Sequence, residues 1–189
     1  MTRVILSLCD YSGNWSQPYV EAGYEVFRID LQHDMDVRML TYNFGRFEES
    51  GVHGILMAPP CTHFASSGAR WWSRKGDAAI IEGLSIIDAC LRTVVLYQPK
   101  WWALENPVGR LVHYLGKPRY AFDPCDFGDP YTKRTQLWGS FAPPIALLAP
   151  VGEVAATQGS KMHRMSGSDK NGRSETPMGF ARAFFESNP

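Results

Sequence analysis

Two prolines stand directly before a cysteine in Met57-Ala58-Pro59-Pro60-Cys61-Thr62-His63-Phe64. The apolar run from His53 to Ala58 reads as a buried strand. The prolines end it, because neither can donate to a ladder and each restricts the residue before it. Cys61 is therefore presented on a stiff loop at a strand end, where α/β folds build their sites, and its thiol is a candidate nucleophile. A carboxylate closes a second apolar run, Trp102-Ala103-Leu104-Glu105-Asn106-Pro107. A half-buried acid with no local partner is costly unless it has a task. Two adjacent cations, Lys133 and Arg134, stand in the turn from Asp129 to Thr135 before another strand. A fourth group is Asp10-Tyr11-Ser12-Gly13-Asn14-Trp15, joined by Asp30. A small loop after one strand and an acid closing the next suit an adenosine-type cofactor, the acid accepting from both ribose hydroxyls.

The elements that must position these groups follow from hydrophobic pattern. Val4 to Cys9 is a short apolar strand, and Gln17 to Ala22 a helix closed by Gly23. Tyr24 to Asp30 alternates as a second strand, completing a βαβ unit. The longest helix is expected over Asp77 to Gln98, with Ile80, Leu84, Ile87, Leu91 and Val94 on one face. Trp101 to Glu105 is a strand, and Val108 to Leu115 a short helix closed by Gly116. Tyr120 to Phe127 and Thr135 to Phe141 are expected as two more strands. Pro143 to Pro150 reads as irregular, and Gly159 to Arg173 as a mobile Gly/Ser-rich loop. Thr176-Pro177 is an N-cap and first-turn pair for a last helix through Phe184 and Phe185. The expected fold is α/β, with one doubly wound, mostly parallel sheet in a single domain over residues 1 to 189.

Composition narrows the classes. The chain has 189 residues, 44% of them hydrophobic, enough for a substantial core. Its 19 lysines and arginines equal its 19 acids, so it lacks the basic excess of a dedicated duplex-DNA binder. Cys9, Cys61, Cys90 and Cys125 form no C-x-x-C pair, and neither a metal site nor a disulfide framework is expected. No apolar run spans a bilayer, and Met1 to Ile5 runs straight into a strand. The expected compartment is the cytoplasm. Cys9 and Cys90 read as small buried hydrophobes, while the pattern leaves Cys125 open, with a structural role favoured. Trp71-Trp72 and Trp101-Trp102 read as core and rim packing, with base stacking the alternative for Trp71 or Trp72.

In their order, these clusters resemble the cytosine C5-methyltransferase family, which uses S-adenosylmethionine. Pro59-Pro60-Cys61 matches the family's Pro-Pro-Cys element and Glu105-Asn106 its Glu-Asn element. Tyr131-Thr132-Lys133-Arg134-Thr135 stands where family enzymes carry an arginine-bearing turn. The cofactor loop matches at Leu8 and Gly13, and again over Glu21-Ala22-Gly23-Tyr24. Asp36-Val37 resembles the acid-aliphatic pair near the adenine, and Arg173-Ser174-Glu175-Thr176-Pro177 the element before the late helix.

The resemblance covers residues 4 to 141 and 173 to 185. It implies the Rossmann-like methyltransferase fold and methyl transfer to C5 of cytosine through a Cys61 adduct. Cys61, Glu105, Lys133 and Arg134 become the catalytic set. Asp10, Tyr11, Ser12, Gly13, Asn14, Trp15, Asp30, Leu31, Asp36, Val37 and Pro59 would bind S-adenosylmethionine. Pro60, Ser66 and Asn106 would contact the cytosine.

Three features depart from the family. Trp15 and Ser16 replace later glycines of the cofactor loop, the closing Gly-Asn motif is missing, and residues 142 to 172 leave no room for a target-recognition domain. DNA is the family's usual substrate. The alternatives are a free cytosine nucleotide or single-stranded nucleic acid, as in small proteins carried by bacterial viruses, or a silent relative that only binds. A partner chain could supply recognition. The basic segment from Ser160 to Arg173, with Lys161, His163, Arg164 and Lys170, is either a disordered loop or a phosphate clamp.

Overall fold

A computed structural model describes residues 2–40, 51–146, 159–160 and 170–189. Their strands form one six-stranded sheet. β1 (Val4–Leu8), β2 (Glu25–Ile29), β3 (Val52–Met57) and β4 (Trp101–Pro107) run parallel, while β5 (Tyr120–Phe122) and β6 (Thr135–Ser140) add an antiparallel edge. The spatial order is β2-β1-β3-β4-β6-β5. The expected α/β sheet is the one found. All five residues of β1 are buried, as a continuous apolar run in a central parallel strand should be.

Strand alternation divides the core between the two sheet faces. Leu6, Leu8, Ile55, Met57 and Leu104 face α2 (Trp72–Tyr97), meeting Ile87, Ala89 and Cys90. Ile5, Leu56, Ala103 and Leu137 face the other way, toward α1 (Gln17–Glu21) and α5 (Met178–Ser187). That second layer is largely aromatic. Phe180 stacks on Phe122 with centroids 4.0 Å apart, and Trp15 meets the edge of Phe184 at 5.5 Å.

Several boundaries differ from the expectations. α2 starts at Trp72, but Gly76 at φ 63° and ψ −171° interrupts its first turn, so the regular helix does begin near Asp77. β4 runs on to Pro107 because β6 supplies a partner as far as that residue. Tyr120 to Phe127 is not one strand. Pro124 cannot extend the ladder, and Pro124–Phe127 becomes a 3₁₀ turn sealed by a reciprocal Asp123/Asp126 capping box. α3 is only Val112–Leu115, closed by Gly116 at φ 74°. The expected Thr176 cap is displaced by one residue. Pro177, extended at ψ 133°, occupies the cap position and makes no side-chain cap bond. Part of the expected mobile loop is helical, as α4 (Lys170–Ser174). Lys161, His163 and Arg164 lie outside the described residues, and Lys170 is described for its backbone alone.

Candidate active site

Parallel strands end on one edge, so the segments after β1, β2, β3 and β4 meet there. The antiparallel β6 brings its entering segment to the same edge, because Thr135 pairs with Pro107 and Leu137 with Glu105. Five loops thus converge around a cleft of about 1000 Å³. Asp10, Tyr11, Ser12 and Asp30 line one end, and Pro60, Cys61, Ser66, Lys133 and Arg134 the other.

The Cys61 loop is held by its carbonyls. Asn106 Nδ2 donates to Pro59 O at 3.1 Å, Arg110 Nε to His63 O at 2.7 Å, and Lys75 Nζ to Thr62 O at 2.7 Å. Phe64 N and Ala65 N both donate to Cys61 O at 2.9 Å. Gly109 allows the loop to lie this close, since a Cβ there would collide with Phe64 O. The prolines stop the strand, and carbonyl bonds from the β4 side fix where Cys61 lands.

Three ionisable groups are electrostatically joined. Burial pushes the Cys61 thiol above its ordinary value, Lys133 and Arg173 pull it down, and Glu105 pushes it up. Burial likewise raises the Glu105 carboxyl, with Lys133 opposing. Glu105 is only 8% exposed and is not among the cleft-lining residues; Lys133 is equally buried yet reaches the wall. Arg134 lines the cleft but is exposed and holds Asp123 at 3.3 Å. Asp123 Oδ1 also accepts from Lys133 N at 3.0 Å, so this acid anchors the whole turn. Asn106 is fully buried under the Pro59 carbonyl, and its Oδ1 has no hydrogen-bond partner among the described residues.

At the other end, Asp10 serves the loop itself. Its carboxylate accepts from Ser7 Oγ (2.8 Å), Ser16 Oγ (3.0 Å) and Gly13 N (3.1 Å). Asp30 Oδ1 accepts from Gln32 N at 2.8 Å, Oδ2 bonds to no described residue, and the residue lines the cleft. Tyr11 stacks on His33 at 5.3 Å and forms an aromatic flank.

The remaining sequence-derived residues lie elsewhere. Trp15 is wholly buried in the aromatic core, because its ring fills the space beside α5 that a glycine would leave empty. Gly13 takes φ 73°, a left-handed conformation that L side chains rarely adopt, and the Arg28 guanidinium lies where a Cβ would stand. Asn14 Nδ2 donates to Thr176 O at 3.3 Å, tying the loop to the segment before α5. Leu31 is 67% exposed and Val37 is core. Asp36 engages Arg38 at 2.6 Å, a contact that holds its carboxyl below the usual range. None of these six, nor Pro59, lines the cleft.

The cleft also takes Arg70, Trp71 and Arg173 to Thr176; the sequence offers base stacking for Trp71 and a phosphate clamp for Arg173 only as alternatives, and gives no site role to Arg70. The aromatic spacing of α5 was the available signal for the last of these. Phe180 and Phe184 pin the helix to the sheet, and its preceding segment must then cross the edge of the cleft. Among the described residues, no group of three or more His, Cys, Asp or Glu is placed to hold a metal, and no helix is long and apolar enough to cross a membrane.

No protein-family model matches the chain, and no curated protein matches it either. Among solved structures, an E. coli protein provisionally described as a DNA modification methyltransferase encoded within a prophage aligns with a TM-score of 0.49 at 18% identity. The alignment covers 74% of this chain and 47% of that one, so this chain matches about half the length of that structure.

Proposed function

We propose that the protein is an S-adenosylmethionine-dependent methyltransferase acting on C5 of cytosine in DNA, with the chain folding as a single catalytic domain. What supports the reading is one observation: Cys61 and Lys133 share a cleft wall, and both are charge-coupled to the buried Glu105. An isolated structural cysteine has no such company.

The residues at the far end fit the cofactor. Asp30 Oδ2 is available to ribose hydroxyls, and the Tyr11–His33 stack can flank an adenine. When bound, S-adenosylmethionine supplies an electrophilic methyl group on sulfonium sulfur. Cytosine C5 is a weak nucleophile by itself. The Cys61 thiolate adds to C6, forming the S–C6 bond and placing enamine character on C5. Lys133 favours the thiolate, offsetting the burial that disfavours it. Glu105, whose proton is held by burial, donates to or shares a proton with N3 and neutralises charge developing on the ring. With the cofactor bound, its methyl group would be transferred to the activated C5. Loss of the C5 proton to water in the cleft would then expel the Cys61 thiolate and restore the ring.

The reading is tested by incubating the protein with methyl-labelled S-adenosylmethionine and, separately, duplex DNA, single-stranded DNA and dCMP. Transfer to C5 of cytosine in DNA, abolished by Cys61→Ala with cofactor affinity kept, is the expected result. No transfer to any substrate, or transfer that survives Cys61→Ala, overturns it.

A further inference from the structure

Two arginines on the rim of the cleft beside Cys61 stack on one exposed indole. The Cζ atoms of Arg70 and Arg74 each lie 5.2 Å from the Trp71 ring centroid, and all three residues are exposed. Trp71 keeps 43% of its surface in solvent, unusual for so large an apolar group. Neighbouring Trp72 is different. It is half-buried beneath Arg110, which itself holds the Cys61 loop through His63 O. Trp72 packs against the arginine that holds the loop, whereas the Trp71 ring is met by Arg70 and Arg74.

Charge makes the arrangement stranger still. Arg38, Arg92 and Arg134 each have a carboxylate partner, while Arg3, Arg110 and Arg119 donate to a hydroxyl or carbonyl oxygen instead. Among the described residues, no carboxylate pairs with Arg70 or Arg74. Two like charges gathered on one ring, without a counterion, form a site short of an anion. Arg70 and Trp71 line the same cleft as Cys61 and Lys133, on the segment that follows Cys61 in the chain.

We propose that Arg70, Trp71 and Arg74 form a docking platform for single-stranded nucleic acid, Trp71 stacking on the base beside the target cytosine and the two arginines meeting its flanking phosphates. The choice of strand rests on the ring. Stacking on an indole needs a base with a free face, which a paired base within a duplex lacks. The choice of polymer rests on the charges, because a mononucleotide carries a single phosphate group and the platform offers two cations in addition to those deeper in the cleft. This inference rests on the methyltransferase reading for what lies next to the platform, and it narrows that reading's substrate from DNA in general to an unpaired strand.

The test reads binding, not turnover. Fluorescence anisotropy of a labelled single-stranded dodecadeoxynucleotide containing one cytosine is measured with the full chain on a Cys61→Ala background, which keeps the result independent of catalysis. Trp71→Ala is expected to weaken binding about tenfold or more, and Trp71→Tyr, which keeps a stacking ring, to restore most of it. The double variant Arg70→Ala/Arg74→Ala is expected to flatten the slope of log affinity against log salt by about 1.4, two phosphate contacts on a single strand. Binding of dCMP is expected to be indifferent to Trp71→Ala. The proposal is overturned if both rim variants bind the strand as the background protein does, if duplex binds more tightly than single strand, or if Trp71→Ala weakens dCMP and strand equally. Should methyl transfer fail while the rim variants still lose strand affinity, the platform stands and only the catalytic reading falls.

Discussion

Glu105 and Lys133 belong to paired strands, and the register Glu105–Leu137 on β4 and β6 brings the segment that carries Lys133 back to the edge where β4 ends. A buried carboxyl and a buried ammonium therefore influence the same thiol with opposite sign. Lys133 lowers the Cys61 thiol and Glu105 raises it, so substitutions at the two positions must move its reactivity in opposite directions.

Lys133→Met removes the cation while keeping much of the side chain's volume. The pH profile for alkylation of Cys61 by iodoacetamide is expected to move to higher pH, because the largest influence opposing burial is then gone. Peptide mapping of the alkylated cysteine reads it. A profile at the original pH removes Lys133 from the thiol's surroundings.

Glu105→Gln removes the opposing charge. The same profile is expected to move to lower pH, while methyl transfer falls by about 10²-fold or more for want of the proton at N3. A more reactive thiol in a slower enzyme is a combination that simple damage to the fold does not produce. Turnover unchanged from wild type contradicts the acid role.

The Glu105 carboxyl also makes stability depend on pH. Its native value lies above the ordinary 4.5, so the native state holds a proton that the unfolded chain has already released. Stability from this group is complete below about pH 4.5 and is lost as pH rises toward the native value. Glu105→Gln escapes that loss. Thermal melts across pH should show the variant gaining on wild type as pH rises through this window. A constant difference in Tm argues that Glu105 is solvated.

Phe180 is wholly buried and stacks on Phe122 at 4.0 Å. Phe180→Ala should cost about 3–5 kcal/mol in denaturant melts, through lost burial and the cavity it leaves. A cost under about 1 kcal/mol would place this ring outside the core.

Gly109→Ala puts a methyl group onto Phe64 O, and Phe64 N is bonded to Cys61 O. The loop must move. Methyl transfer should fall by at least tenfold while Tm shifts by only a few degrees. Full activity in this variant means that the loop position does not matter to the chemistry.

The sheet was legible because its strands announce themselves: Val4 to Leu8 and the run up to Met57 are apolar and stop at a positive-φ Cys9 or at proline. Cys61 was legible for the same reason. The strand-end position of Glu105 was visible, but its distance from the cleft wall was not, since register with β6 is a long-range matter that no local pattern encodes. Trp15 misled because it stands inside a loop motif, and a motif says nothing of which way a ring turns. Asp36 and Val37 were placed by resemblance alone, and a local Arg38 contact and the core took them. In sequence Trp71 reads as rim packing with base stacking as the alternative, and nothing there joins Arg70 and Arg74 to it. Only the shared ring distances reveal the group.

The central claim is that the sulfur of Cys61 bonds to C6 of a cytosine, and it can be trapped. Fluorine at C5 cannot leave as the C5 proton does, so a 5-fluorocytosine strand should remain attached after methyl transfer. The protein is incubated with that strand and S-adenosylmethionine, digested with trypsin, and analysed by mass spectrometry. The account expects the methylated fluoronucleotide on the peptide that carries Cys61, and no adduct from Cys61→Ala. An adduct on Cys9, Cys90 or Cys125, or methylated product with no covalent complex, contradicts it.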